Sequence, residues 1–154
     1  MNSESEPEPI YVYVNFEDTA PCSGTVYAWR YCSFPTSEDA PFQVFLAIYH
    51  NDIEGDTFEL VNGSLHNLTV EENTSSLTCQ DVPLDPSEQF AIQQGDMVAA
   101  CWSENVNRVQ LFAMKSNKRL MYWSSGLCFQ ENLSTSGANI IRRHTLLLSA
   151  HISK

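Results

Sequence analysis

The chain has 154 residues, 43% hydrophobic and 18% charged, with a formal net charge of −11. That length suits one domain able to bury roughly two-thirds of its unfolded surface. The composition excludes a disordered chain and a membrane-spanning one, since no apolar run approaches the ~18 residues of a transmembrane helix. The acidic balance argues against nucleic acid and direct contact with an anionic membrane.

Residues 1–9 alternate Glu with Ser and Pro, an acidic, disordered linker with nothing to bury. They lack the basic start and apolar stretch of a signal peptide, so a signal for secretion is expected outside this sequence. Residues 10–154 then read as one domain of short apolar runs separated by turn chemistry. IYVYVNF (10–16), TVYAWRYC (25–32), FQVFLAIYH (42–50), TFELV (57–61) and LHNLTVE (65–71) come first. QFAIQ (89–93), MVAACWS (97–103), RVQLFAMK (108–115), RLMYW (119–123) and HTLLLSAHI (144–152) follow. Runs rich in β-branched and aromatic residues, punctuated by Gly, Pro, Asn and Asp, predict an all-β fold, an antiparallel β-sandwich of jelly-roll-like type. The one helical turn expected lies in DVPLDPSEQ (81–89), capped by Asp85 or Ser87.

Two hairpins are expected. Asn62-Gly63 suits a type I′ turn between TFELV and SLHNLTVE, because both central residues there need positive φ. Gly95-Asp96 suits a second tight turn between QFAIQQ and MVAACW. The NDIEGD loop (51–56) has calcium-like chemistry but lacks the EF-hand spacing and distal Glu, and reads as a solvated turn. Tyr27, Trp29 and Tyr31 alternate on one face of their strand, a core stripe if buried and a stacking platform if exposed.

The five cysteines are an odd set, with no CxxC spacing and no histidine placed to complete a metal site, so neither metal nor cofactor is expected. Along one extended strand Cys22 and Cys32 would stand roughly 30 Å apart, at about 3.3 Å per residue. A disulfide needs Cα atoms within about 7 Å, so each must look to Cys79, Cys101 or Cys128. The expected pairing is Cys32–Cys79 and Cys101–Cys128, with Cys22 free or bonded to another chain. The alternative is five reduced, buried thiols.

Four Asn-x-Ser/Thr sequons occur, at Asn62, Asn67, Asn73 and Asn132. If Phe58 and Leu60 face the core, Leu68 and Val70 do too, and Asn67 and Thr69 point outward together. Asn73 sits in a polar turn. Turn geometry already accounts for Asn62, which ranks last as a glycan acceptor, behind Asn67, Asn73 and Asn132.

Charge is unevenly spread. Residues 1–107 hold 18 of the 19 acids and one base, Arg30. Residues 108–154 hold Arg108, Lys115, Lys118, Arg119, Arg142, Arg143 and Lys154 against Glu131 alone. Either these bases neutralise neighbouring acidic strands, or Lys115, Lys118, Arg119, Arg142 and Arg143 form a basic patch for an anionic glycan or the acidic face of another copy. The sequence has no G-x-S-x-G, no H-E-x-x-H and no phosphate loop, and no catalytic residue is singled out.

CSGTVYAWRYC (22–32), the later TCQDVPLDPSEQFAIQQGDMVAACW (78–102) and LLLSAHI (146–152) resemble an extracellular domain recurring in surface and secreted proteins of sponges, cnidarians and other invertebrates. Its pattern is C-x-G-x-V-x-x-W-x-x-C followed by a Cys before F-x-V-x-x-G-D-x-V. The resemblance implies a β-sandwich ectodomain piece beside other modules and supplies no activity. The expected role is therefore a disulfide-bonded, glycosylated extracellular module, not an enzyme, binding or adhering to a protein or glycan through loops at one end of the sandwich. A homotrimeric jelly-roll ligand of the complement or tumour-necrosis-factor type is the first alternative. A glycan-active enzyme with paired carboxylates is the second.

Overall fold

The computed structural model describes residues 10–33, 42–51, 56–70, 77–102, 113–125 and 128–154. The strands are β1 (Ile10–Thr19), β2 (Gly24–Ser33), β3 (Phe42–Asn51), β4 (Thr57–Leu60), β5 (His66–Val70) and β6 (Thr78–Pro83). They continue with β7 (Phe90–Ile92), β8 (Met97–Trp102), β9 (Ala113–Ser125), β10 (Asn132–Ser134), β11 (Asn139–Leu146) and β12 (Leu148–Ser153). All pair antiparallel in two sheets. The larger runs β10-β4-β3-β8-β1-β9-β11 with β5 also beside β3, and the smaller runs β12-β2-β6 with β7 also beside β2. The all-β, two-sheet reading of the sequence holds, and neither sheet closes on itself among the described residues. Among those residues no helix is long and apolar enough to cross a membrane.

The main core lies between the sheets, where Val26, Trp29, Leu46, Ile48 and Leu120 are almost wholly enclosed and the Tyr13 ring stacks on Trp102 at 5.0 Å. A second core covers the outer face of the larger sheet around Val12, Val14, Ala47, Tyr49, Phe58, Ala99 and Cys101. Its cover is the 128–138 segment, which leaves β9, lays β10 against β4 with Leu133 opposite Phe58, and returns to β11. Tyr49 Oη donates to the Gln130 carbonyl at 2.7 Å and Trp123 Nε1 to the Ser134 carbonyl at 2.8 Å. Burial pushes the Tyr49 phenol above its ordinary pKa. With a core on each face, every residue of β8 is buried.

Neither expected hairpin forms. β4 and β5 do not pair with each other; both lie along β3, opposite Tyr49–Asn51 and Phe42–Leu46 respectively. Gly63 has φ +79°, but Asn62 is not left-handed, so the turn is not type I′. Ser64 is what lets the chain run on. Its buried hydroxyl accepts from Ile48 N at 3.0 Å and donates to the Val61 carbonyl at 2.7 Å, supplying ladder bonds where the backbone departs from β3. Ser64→Ala is expected to cost about 1–3 kcal/mol by urea unfolding, because it strands the Ile48 N–H in the core. Gly95-Asp96 likewise ends β7 in one sheet and starts β8 in the other. Buried Asp96 fixes that corner by accepting from Gln93 N at 2.9 Å, with His50 Nδ1 at 2.5 Å from its other oxygen.

Three further expectations change. A bulge at Tyr27 breaks the aromatic stripe: Ile152 pairs with Val26 and His151 with Ala28, leaving Tyr27 43% exposed and stacked on His151 while Trp29 and Tyr31 are buried. The helical turn is confined to Pro86–Glu88, with Asp85 as N-cap but no side-chain capping bond. The 119–123 run belongs to the 13-residue β9, and the 144–152 run divides at Leu147 between the two sheets. Of the NDIEGD loop, residues 52–55 lie outside the described residues, as does the 1–9 linker.

Candidate binding surfaces

Two disulfides fasten the sandwich. Cys32 and Cys79 stand directly opposite in the β2–β6 ladder with Cα atoms 4.0 Å apart. Cys101, wholly buried on β8, is bonded to Cys128 with Cα atoms 5.7 Å apart, which pins the start of the 128–138 cover to the sheet. Cys22 is a half-buried free thiol.

The sequons fall on the rim. Asn67 and Thr69 are exposed on β5 with Leu68 buried between them. Asn67 and Thr69 point outward together as expected, but the shared face does not hold: Phe58 and Leu60 pack in the outer core and Leu68 in the core between the sheets, because β4 and β5 each take their phase from β3. Asn132 and Ser134 are exposed on β10 on either side of buried Leu133, and Asn62 is exposed in its turn. Asn73 lies outside the described residues.

The basic residues divide into two groups. Lys118 pairs with Asp18 at 3.0 Å. Arg119 grips Glu17 of β1 through its side chain at 3.2 Å and its backbone N–H at 2.6 Å, with its guanidinium 5.3 Å from the Phe16 ring centroid. The side-chain bond from Arg119 holds the Glu17 carboxyl below its usual range, and the same bond raises the Arg119 guanidinium. Lys115, Arg142 and Arg143 are exposed and meet no acid among the described residues. They sit where β11, the terminal strand of the larger sheet, is distorted: Arg142 opposes Arg119 and His144 opposes Lys115, so Arg143 alone faces Ser116 to Lys118. Arg143 has φ +61°, the one left-handed non-glycine among the described residues, a conformation costing of order 1–3 kcal/mol. His144 Nδ1 closes the bulge against the Arg142 carbonyl at 2.8 Å.

A groove of about 710 Å³ was not visible in the sequence, because distant segments build it. Trp29, Phe45, Leu65, Leu68 and Leu84 line it, together with His66. The His66 ring stacks on Phe90 with centroids 5.6 Å apart, and its two nitrogens reach the carbonyls of Ser64 at 3.0 Å and Glu88 at 3.2 Å. Trp29 Nε1 is buried without a hydrogen-bond partner among the described residues.

No family model, curated protein or solved structure gives a significant match to this chain.

Proposed function

We propose that this chain is an extracellular binding module whose ligand is an anionic glycan, held along the terminal strand β11. The carrying observation is the cluster of Lys115, Arg142 and Arg143, exposed and without an acidic partner among the described residues, beside two bases that are neutralised. A left-handed Arg143 is expensive for a strand to keep, and such strain marks functional positions. Guanidinium forks are suited to bidentate contact with sulfate or carboxylate groups. Two disulfides and exposed sequons support the extracellular setting, in keeping with the resemblance to invertebrate surface domains.

Immobilised heparin tests this, since a chain of net charge −11 is repelled by a polyanion unless a local patch binds it. The wild-type chain is expected to be retained at low ionic strength and released as salt screens the contact. Arg142→Gln with Arg143→Gly is expected to abolish retention. Arg143→Gly alone is expected to keep the fold, leaving stability unchanged or raising it by up to about 2 kcal/mol, because glycine relieves the positive-φ strain at some cost in chain entropy. Passage without retention, or unchanged retention of the double variant, overturns the reading. Salt-sensitive dimers in light scattering would instead assign the patch to the acidic face of a second copy.

A further inference from the structure

The outer face of the larger sheet carries one row of residues in register: Asn67 opposite Phe45, Phe45 opposite Cys101, Cys101 opposite Val12, and Val12 opposite Trp123. Residues in register share a face. The 128–138 segment covers most of this row, leaving Cys101 and Val12 at 0% and Trp123 at 6% exposure. Phe45 is 37% exposed at the uncovered end, and Leu65 nearby is 57% exposed. Both line the groove, and so does Asn67. An apolar row thus runs out from under its cover and ends on a sequon.

Directly opposite residues have Cβ atoms about 4.5–5.5 Å apart, so a group attached to Asn67 Nδ2 reaches the Phe45 ring. The Asn67 amide makes no hydrogen bond among the described residues, and Thr69, completing the sequon, is exposed. β5 pairs with β3 alone among the described residues, which leaves its other edge open, and open edges invite pairing with another chain.

We propose that Asn67 carries an N-linked glycan whose first sugar packs on the Phe45 ring, completing the cover of the outer core and screening the β5 edge. The donor is a lipid-diphosphate oligosaccharide of the secretory compartment. The amide nitrogen forms a bond to the anomeric carbon, the bond from that carbon to the diphosphate oxygen breaks, and the lipid diphosphate leaves as the amide loses one proton. The C–H face of the sugar, weakly positive, then lies on the negative face of the ring. The proposal rests on the extracellular reading above but is independent of the cationic patch. It places the glycan at one side of the larger sheet and leaves β11, at the other, free for a ligand.

The full chain secreted from glycosylating eukaryotic cells supplies the test. Peptide mapping is expected to find Asn67 occupied. Proton NMR is expected to show the first sugar shifted upfield by the Phe45 ring current, and Phe45→Leu to abolish that shift while occupancy persists. Enzymatic removal of the glycan from the folded protein is expected to raise binding of an apolar dye, which avoids relying on an Asn67→Gln variant that fails to be secreted. A glycan at Asn132 with Asn67 bare overturns the proposal and leaves the extracellular reading standing. An occupied Asn67 without the upfield shift overturns the packing. Secretion with every sequon bare overturns the proposal and removes one support of the extracellular reading.

Discussion

Replacing Cys32 and Cys79 together by alanine is expected to lower the unfolding free energy by about 4 kcal/mol, the loop-closure entropy of a cross-link of this span. The bonded residues are 47 apart in sequence, against 27 for Cys101 and Cys128. Packing loss adds little, because Cys79 is exposed and Cys32 half-buried, so the effect is carried by the unfolded chain. For a domain of this length that corresponds to a melting temperature lower by about 10 °C. The Cys101–Cys128 bond has the shorter loop, but Cys101 is enclosed, and its removal leaves a void under the 128–138 cover as well. The two bonds also differ in access. Mild reductant is expected to open Cys32–Cys79 first, since thiolate attack needs an approachable sulfur. Urea unfolding of the oxidised wild type and the alanine pair, read by tryptophan fluorescence, measures the loss. A difference below about 1 kcal/mol would mean that the reduced unfolded chain already keeps these strands together.

Reach along one strand excluded Cys22–Cys32 and no more; the pairing that forms was one choice among those left, and the β2–β6 register and the 128–138 cover decide it. Strand positions were legible from local apolar patterning, apart from β6, whose exposed and Pro-ended residues carry little apolar signal, β10, which is three residues long, and the mostly exposed start of β11. Strand limits were less so: β9 is continuous where two runs were expected, and 144–152 divides where one was. Partnership was not legible. Asn62-Gly63 and Gly95-Asp96 are genuine turn sequences, yet a tight turn serves equally to step along one neighbour or to change sheets, and only tertiary packing chooses. Bulges were not legible, because what betrays them is burial, which only the folded chain supplies. Val26 and Trp29 both enter the main core although three residues apart, and Ile141 and Leu146 do so although five apart. Strict alternation forbids both pairs, so each demands an irregularity between its members, at Tyr27 and at Arg143. Of the basic patch, its membership was legible and its division was not. Whether Arg119 or Arg142 is neutralised depends on Glu17 lying beside β9, which is a fact of sheet order.

Asn15→Ala is expected to cost about 3 kcal/mol, because it strips the partners from both main-chain groups of one buried residue. Asn15 lies on β1 at 1% exposure. Its Nδ2 donates to the Leu146 carbonyl at 3.2 Å, and its Oδ1 accepts from Leu146 N at 2.9 Å and from Thr145 Oγ1 at 3.4 Å. Leu146 ends β11 and Leu148 begins β12, so this amide holds the chain where it passes from the larger sheet to the smaller. Asn15→Asp separates hydrogen bonding from packing, since the side chain keeps its size. A neutral carboxylic acid can still donate to one Leu146 group and accept from the other, whereas a carboxylate cannot donate and is buried without a counter-charge. The introduced acid is therefore expected to have a raised folded-state pKa. Its stability stays near wild type below the unfolded value of about 4, then falls as pH rises toward the folded value. Urea unfolding of Asn15→Asp between acid and neutral pH, beside Asn15→Ala, reads both effects. A pH-independent Asn15→Asp with wild-type stability would show that the β11-to-β12 passage is held by packing alone.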